Sequence, residues 1–167
     1  MARNFVLSAA HCVHAGKPKI LLGIDNLAVR IGGYKLDSNY TGREKFINIK
    51  RIILHPDYNP SHPYKLDIVL LELATDINID IYTPACLPLF SEGNKFDGKL
   101  TTQAGWGKHS DLDDGYPNEP YEVMTTISRP DECPFSSLDP SVLCSGLKET
   151  LKGTCSVRLM SCKCISY

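Results

Sequence analysis

No window of about a dozen residues in this 167-residue chain carries apolar residues at the three- and four-residue spacing of a helix. Short apolar runs closed by turn residues recur along it instead. Leu27–Ile31 and Phe46–Leu54 are rich in Val, Ile, Leu and Phe, whose branching or bulk suits a pleated surface, and Gly32-Gly33 and His55-Pro56 end them as turns. Asp67–Leu73 is another apolar run, held between Pro63 and the Asp76-Ile77-Asn78 turn, too short for a helix and of the right length for a buried strand. Thr101–Gly105 and Glu122–Ile127 read as further strands. Pro84 and Pro88 cannot donate to a sheet ladder, so residues 84–88 predict a stiff connector, and residues 111–120 form a polar loop bearing Pro and Gly. No internal repeat or low-complexity tract interrupts the pattern, and the fold class it predicts is all-β.

Composition narrows the function classes. With 43% hydrophobic and 22% charged residues, the chain can bury a real core and is not a disordered tract. A net charge of -1 with scattered basic residues excludes a nucleic-acid stripe and a polybasic membrane patch. No apolar run approaches the ~18–20 residues that cross a bilayer. Phe5–Ala10 behind Arg3 is shorter than the ~7–15 apolar residues of a secretion signal and runs straight into His11-Cys12, so no signal peptide is expected. Seven cysteines point to an oxidising compartment, and an odd number leaves at least one without a partner inside the chain.

Three segments follow one another in a telling order: Val6-Leu7-Ser8-Ala9-Ala10-His11-Cys12, then Asp67-Ile68-Val69-Leu70-Leu71, then Gly105-Trp106-Gly107, with Pro84-Ala85-Cys86-Leu87-Pro88 between the last two. Together they resemble the trypsin/chymotrypsin-like serine endopeptidases. The resemblance implies a double β-barrel of Greek-key topology. Residues 1–83 would form the first barrel, nearly complete but without its opening strands. Residues 84–88 would be the linker, 89–154 a partial second barrel, and 155–167 an unrelated tail, so that the domain is truncated at both ends. It also implies a polypeptide substrate, an extracellular setting, and no cofactor, metal, nucleic acid or membrane. His11 and Asp67 then take two of the three catalytic positions. In such an enzyme, a logic worked out within this same family, a nucleophilic serine needs a base in hydrogen-bond reach and the base needs an acceptor that fixes its tautomer. Asp67 also opens an apolar run where an unpaired carboxylate is expensive, so a partner is expected for it, and His11 is the obvious one.

Among the cysteines, the resemblance pairs Cys133 with Cys144. Cys12 would take a partner upstream, Cys86 would tether a pro-region, Cys155 would take a partner downstream, and Cys162 and Cys164 match nothing. Gly33 stands where calcium-binding relatives carry an acidic ligand, which argues against a calcium site. His14, His55, His62 and His109 are expected at the surface or in turns, without metal-ligand spacing. Asn39-Tyr40-Thr41 is a glycosylation sequon.

The third catalytic position is the difficulty. The family continues through Cys-x-Gly-Asp-Ser-Gly-Gly-Pro, whereas this chain reads Cys155-Ser156-Val157-Arg158-Leu159-Met160-Ser161. Counted from Cys155, Val157 replaces the oxyanion-hole glycine, Arg158 the Asp that receives a freed N-terminus, and Leu159 the nucleophile. Gly153 falls at the base of the specificity pocket and is uncharged. Leucine has no nucleophilic atom, and Val cannot take glycine's backbone freedom. Losing an oxyanion donor costs about 10²–10³ in rate, and losing the nucleophile on the order of 10⁶. Ser156 and Ser161 lie at other distances from Cys155 and lack flanking glycines. The family's Ile-Val-Gly-Gly start is also missing. The expectation is therefore an inactive family member, read as a truncated or mis-spliced product because Val157-Arg158 can be written by codons resembling a splice donor. Two alternatives stand beside it: a non-catalytic homologue acting as a binding module, and a metal clip at Cys155, Cys162 and Cys164.

Overall fold

A computed structural model describes residues 3–37, 44–63, 65–87, 96–107, 115–128 and 144–146. Among these are nine strands and two short 3-10 turns, with no α-helix, in agreement with the all-β expectation. The strands are β1 (Phe5–Ser8), β2 (His14–Ala15), β3 (Ile20–Leu21), β4 (Ala28–Ile31), β5 (Lys45–Leu54), β6 (Val69–Leu73), β7 (Leu100–Gly105), β8 (Tyr121–Ser128) and β9 (Cys144–Gly146). The apolar runs read from the sequence coincide with β4 to β8 within a residue or two. The small β2–β3 hairpin had no sequence signal; it turns through Gly16, whose φ of +83° suits glycine alone.

The described residues fall into two units. Those up to Gly33 and from Glu44 to Cys86 make the first, and those from Leu87 onward, joined by Tyr34–Asp37, make the second.

The first unit is an antiparallel sheet in the order β1-β6-β5-β4. Alternation places Val69, Leu71 and Leu73 of β6 on the buried face, opposite Val6 of β1 and beside Ile47 and Ile49 of β5 and Val29 and Ile31 of β4. Lys50 is an extra residue. Ile49 pairs with Leu73 and Arg51 with Glu72, so a β-bulge falls between them. Because strand side chains alternate, one inserted residue switches the inward set of β5 from Ile47 and Ile49 to Ile52 and Leu54, both of which pack against the core. The same bulge puts two cations beside one acid. Lys50 Nζ and Arg51 Nε each donate to Glu72 at 2.8 Å, one to each carboxylate oxygen. Beside β5, Glu44 is 2% exposed and takes the Arg30 guanidinium through Nε at 2.9 Å and Nη2 at 2.5 Å.

The second unit contains the sheet β7-β8-β9. On one face Gln103 Nε2 donates to Thr125 Oγ1 at 3.0 Å, and the Thr125 and Ser145 hydroxyls bond at 2.6 Å, so Thr125 is fully buried yet satisfied. Trp106 is 8% exposed, and its indole N–H donates to Tyr34 O at 2.9 Å. Leu36 and Asp37 add backbone N–H bonds to Asn118 at 2.9 Å each, and Lys35 pairs with Glu119. Tyr34–Asp37 thus lies as a strap on the 118–119 segment.

Two outcomes follow from this architecture. Leu73→Ala, at a side chain 1% exposed, lowers stability by about 2–5 kcal/mol in urea unfolding. The Lys50 ammonium, and after it Arg51, hold the Glu72 carboxyl below its ordinary value of 4.5. Its stabilising effect is complete above that ordinary value and is lost as pH falls through the lower folded-state value. Glu72→Gln is accordingly less stable than wild type at neutral pH, and the gap closes in acid; unfolding curves of both proteins across that range check it.

Candidate active site

The register of β1 on β6 builds the site. Ser8 pairs with Val69, so the end of β1 and the start of β6 lie at one edge of the sheet. The chain leaves β1 through Ala9 into a 3-10 turn, Ala10–Val13, which carries His11; Cys12 N–H donates to Ala9 O at 3.1 Å to close it. Ala10 and Val13 are buried in the core, which leaves His11 facing outward. Two residues before Val69 the chain presents Asp67. Residues separated by most of the first unit in sequence therefore meet.

Asp67 holds His11 twice. Its Oδ1 accepts the His11 backbone N–H at 2.8 Å, and its Oδ2 lies 2.5 Å from His11 Nδ1. A carboxylate only accepts, so Nδ1 carries the proton and the neutral ring keeps its lone pair on Nε2. The imidazole side chain is 45% exposed and the carboxylate 20%, so Asp67 is mostly shielded while the basic edge of His11 stays reachable. Cys12 Sγ lies 3.7 Å from Nε2. Just before Asp67, Leu66 adopts a φ of +51°, which costs an L-residue about 1–2 kcal/mol. Sequence reading had no signal for it.

A base with a fixed tautomer and an accessible Nε2 can take a proton from a nucleophile and return it to a leaving group. A family model described as Trypsin matches residues 1–156. The chain belongs to the trypsin family. It is 29% identical over 174 residues to mannan-binding lectin serine protease 1 of Mus musculus, covering 93% of this chain and 23% of that protein. It is 31% identical over 163 residues to vitamin K-dependent protein C of Mus musculus, covering 91% of this chain and 33% of that protein. With the trypsin of Phaedon cochleariae it shares 33% identity over 105 residues, covering 62% of this chain and 37% of that one. This trypsin-family chain thus spans about a third or less of the length of the first two relatives.

Of the other residues singled out in the sequence, His14 is not at the surface. It is half-buried, its Nδ1 bonds Ala10 O at 2.8 Å, and its ring lies 5.5 Å from that of Tyr58. His55 is half-buried, its Nδ1 accepting the Asp57 N–H at 3.2 Å, and His62 is exposed. Gly33 is a position with no room: a Cβ there would stand 2.9 Å from Arg30 Nε, and that guanidinium already occupies Glu44. Among the described residues no group of three or more His, Cys, Asp or Glu could hold a metal ion. Cys86 is exposed and free, and Cys144 is disulfide-bonded. Cys133, Asn39, His109, Gly153, Cys155, Ser156, Val157, Arg158, Leu159, Ser161, Cys162 and Cys164 lie outside the described residues.

Asp67→Ala removes the acceptor of two His11 donors. It lowers stability by about 1–3 kcal/mol in denaturant titration, with a smaller loss for Asp67→Asn, which keeps one oxygen for the backbone N–H.

Proposed function

We propose that this chain carries the acid–base half of a serine-type endopeptidase domain and that, as it stands, it does not hydrolyse peptides. The observation that carries the first part is the double hold of Asp67 on His11, which fixes the tautomer that general-base catalysis requires. His11 is the base that would deprotonate a nucleophile and then protonate the leaving amine, and Asp67 stabilises the imidazolium formed in between. The second part rests on the sequence. No Gly-Asp-Ser-Gly-Gly-Pro occurs in the chain, and Leu159 stands at the nucleophile's distance from Cys155. The family match ends at residue 156, just before that stretch. Without a hydroxyl aligned to Nε2, the base has nothing to activate for acyl transfer.

The substrate class belonging to this machinery is polypeptide, and the setting we assign is extracellular, supported by the cysteine content and by relatives named as serine proteases. No helix among the described residues is long and apolar enough to cross a membrane. We assign Cys133 as the partner of Cys144, on the resemblance of the two positions to the family's cysteine pair.

A fluorophosphonate probe that labels activated serines tests the proposal on the purified 167-residue chain. The expected result is no label and no cleavage of peptide substrates. Labelling that disappears in His11→Ala would overturn it, because a functional nucleophile would then be present.

A further inference from the structure

Among the described residues Leu66 alone, apart from glycines, has a positive φ, and it directly precedes the acid of the catalytic pair. Leucine is a poor choice there. Its Cβ crowds the carbonyl in the left-handed region, which glycine enters freely and Asn or Asp more readily than other side chains. Such outliers persist only where the surroundings over-determine them. Here they do so from both sides. On the C-terminal side, Ile68 O accepts the His55 N–H at 3.2 Å and Val69 enters β6 opposite Ser8, so the backbone after Asp67 is fixed to the sheet. On the N-terminal side, Lys65 N–H bonds His62 O at 3.1 Å, closing a turn in the incoming chain. Between these anchors Ile68 N–H donates to Leu66 O at 2.8 Å, a three-residue turn with Asp67 at its centre. The carboxylate at the apex of that turn reaches back over the end of β1 and meets two His11 donors at once.

We propose that Leu66 is a positioning residue, whose left-handed backbone sets the direction in which the incoming chain enters the turn at Asp67 and so aims the carboxylate at both the backbone N–H and the Nδ1 of His11. The leucine side chain is incidental to this role; the backbone conformation carries it. Relaxing Leu66 to an extended conformation redirects the chain between its two anchors and swings the Asp67 turn and its carboxylate off the ring, so that Nδ1 loses its acceptor and the tautomer is no longer fixed. The inference rests on His11 and Asp67 being the acid–base pair, and its test has a readout independent of catalysis.

The readout is the proton on His11 Nδ1, deshielded by a carboxylate oxygen 2.5 Å from its nitrogen and observed by NMR at low temperature in the isotopically labelled full chain. Asp67→Ala abolishes this downfield resonance; if the resonance survives that change, it is the pair itself that fails, not the role of Leu66. Leu66→Asn, which accepts the left-handed region, keeps the resonance and raises Tm by a few degrees. Leu66→Ala, which removes the side chain but keeps a Cβ, keeps the resonance. Leu66→Val, whose branched Cβ resists that region, moves the resonance upfield or abolishes it while the Leu71 and Thr125 amide signals persist. The proposal is overturned if Leu66→Val leaves the resonance at its wild-type position, or if Leu66→Ala loses it. Should Leu66→Val unfold the protein, Tm of Leu66→Asn decides: a rise supports strain at this backbone position, and a fall overturns it.

Discussion

The pairing of β1 with β6 is the constraint on which the first unit depends. It sets Val6 against Leu71 inside the core and Ser8 against Val69 at the sheet edge. From those two facts follow both the burial that stabilises the unit and the meeting of His11 with Asp67. A slip of one residue would turn Val69, Leu71 and Leu73 outward and carry Asp67 away from the ring, so core and site are specified by the same hydrogen bonds. The apolar face makes the wrong register expensive, and that cost protects the geometry of the His11–Asp67 pair.

Around this frame the polar groups are arranged so that, among the described residues, no buried charge stands alone. Glu44 is met by Arg30, and Glu72 by Lys50 and Arg51 across a bulge that also switches the inward face of β5. Asp67 is met by a backbone N–H and an imidazole. Carboxylates at the edge of a small core are tolerable under that condition, because an unpaired buried charge costs more than the core gains from a neighbouring apolar contact. Of the three acids, Asp67 alone is paired with an imidazole, a group that can take up and release a proton near neutral pH.

On the function we propose, the site is half of a mechanism. A base with its tautomer set and its Nε2 accessible is a general feature of acyl-transfer enzymes, but it acts on a nucleophile that the sequence does not supply at the family's distance from Cys155. Retention of the His11–Asp67 geometry has a structural explanation as well. The pair ties the turn after β1 to the turn before β6 and so closes one end of the sheet.

What could be read from the sequence was whatever resides within a few neighbouring residues. Short apolar runs bounded by turn residues marked β4 to β8, and the short motifs singled out His11 and Asp67, since each is a statement about side-chain chemistry at one place in the chain. Tertiary structure alone decided the rest. The Lys50 bulge, the ion pair of Arg30 with Glu44, the ring contact of His14 with Tyr58, the attachment of Tyr34–Asp37 to Asn118 and Glu119, and the left-handed Leu66 carry no local signature. Each exists because segments far apart in sequence are pressed together by a shared core, and only that contact makes the extra residue, the buried charge or the strained backbone the lower-energy choice.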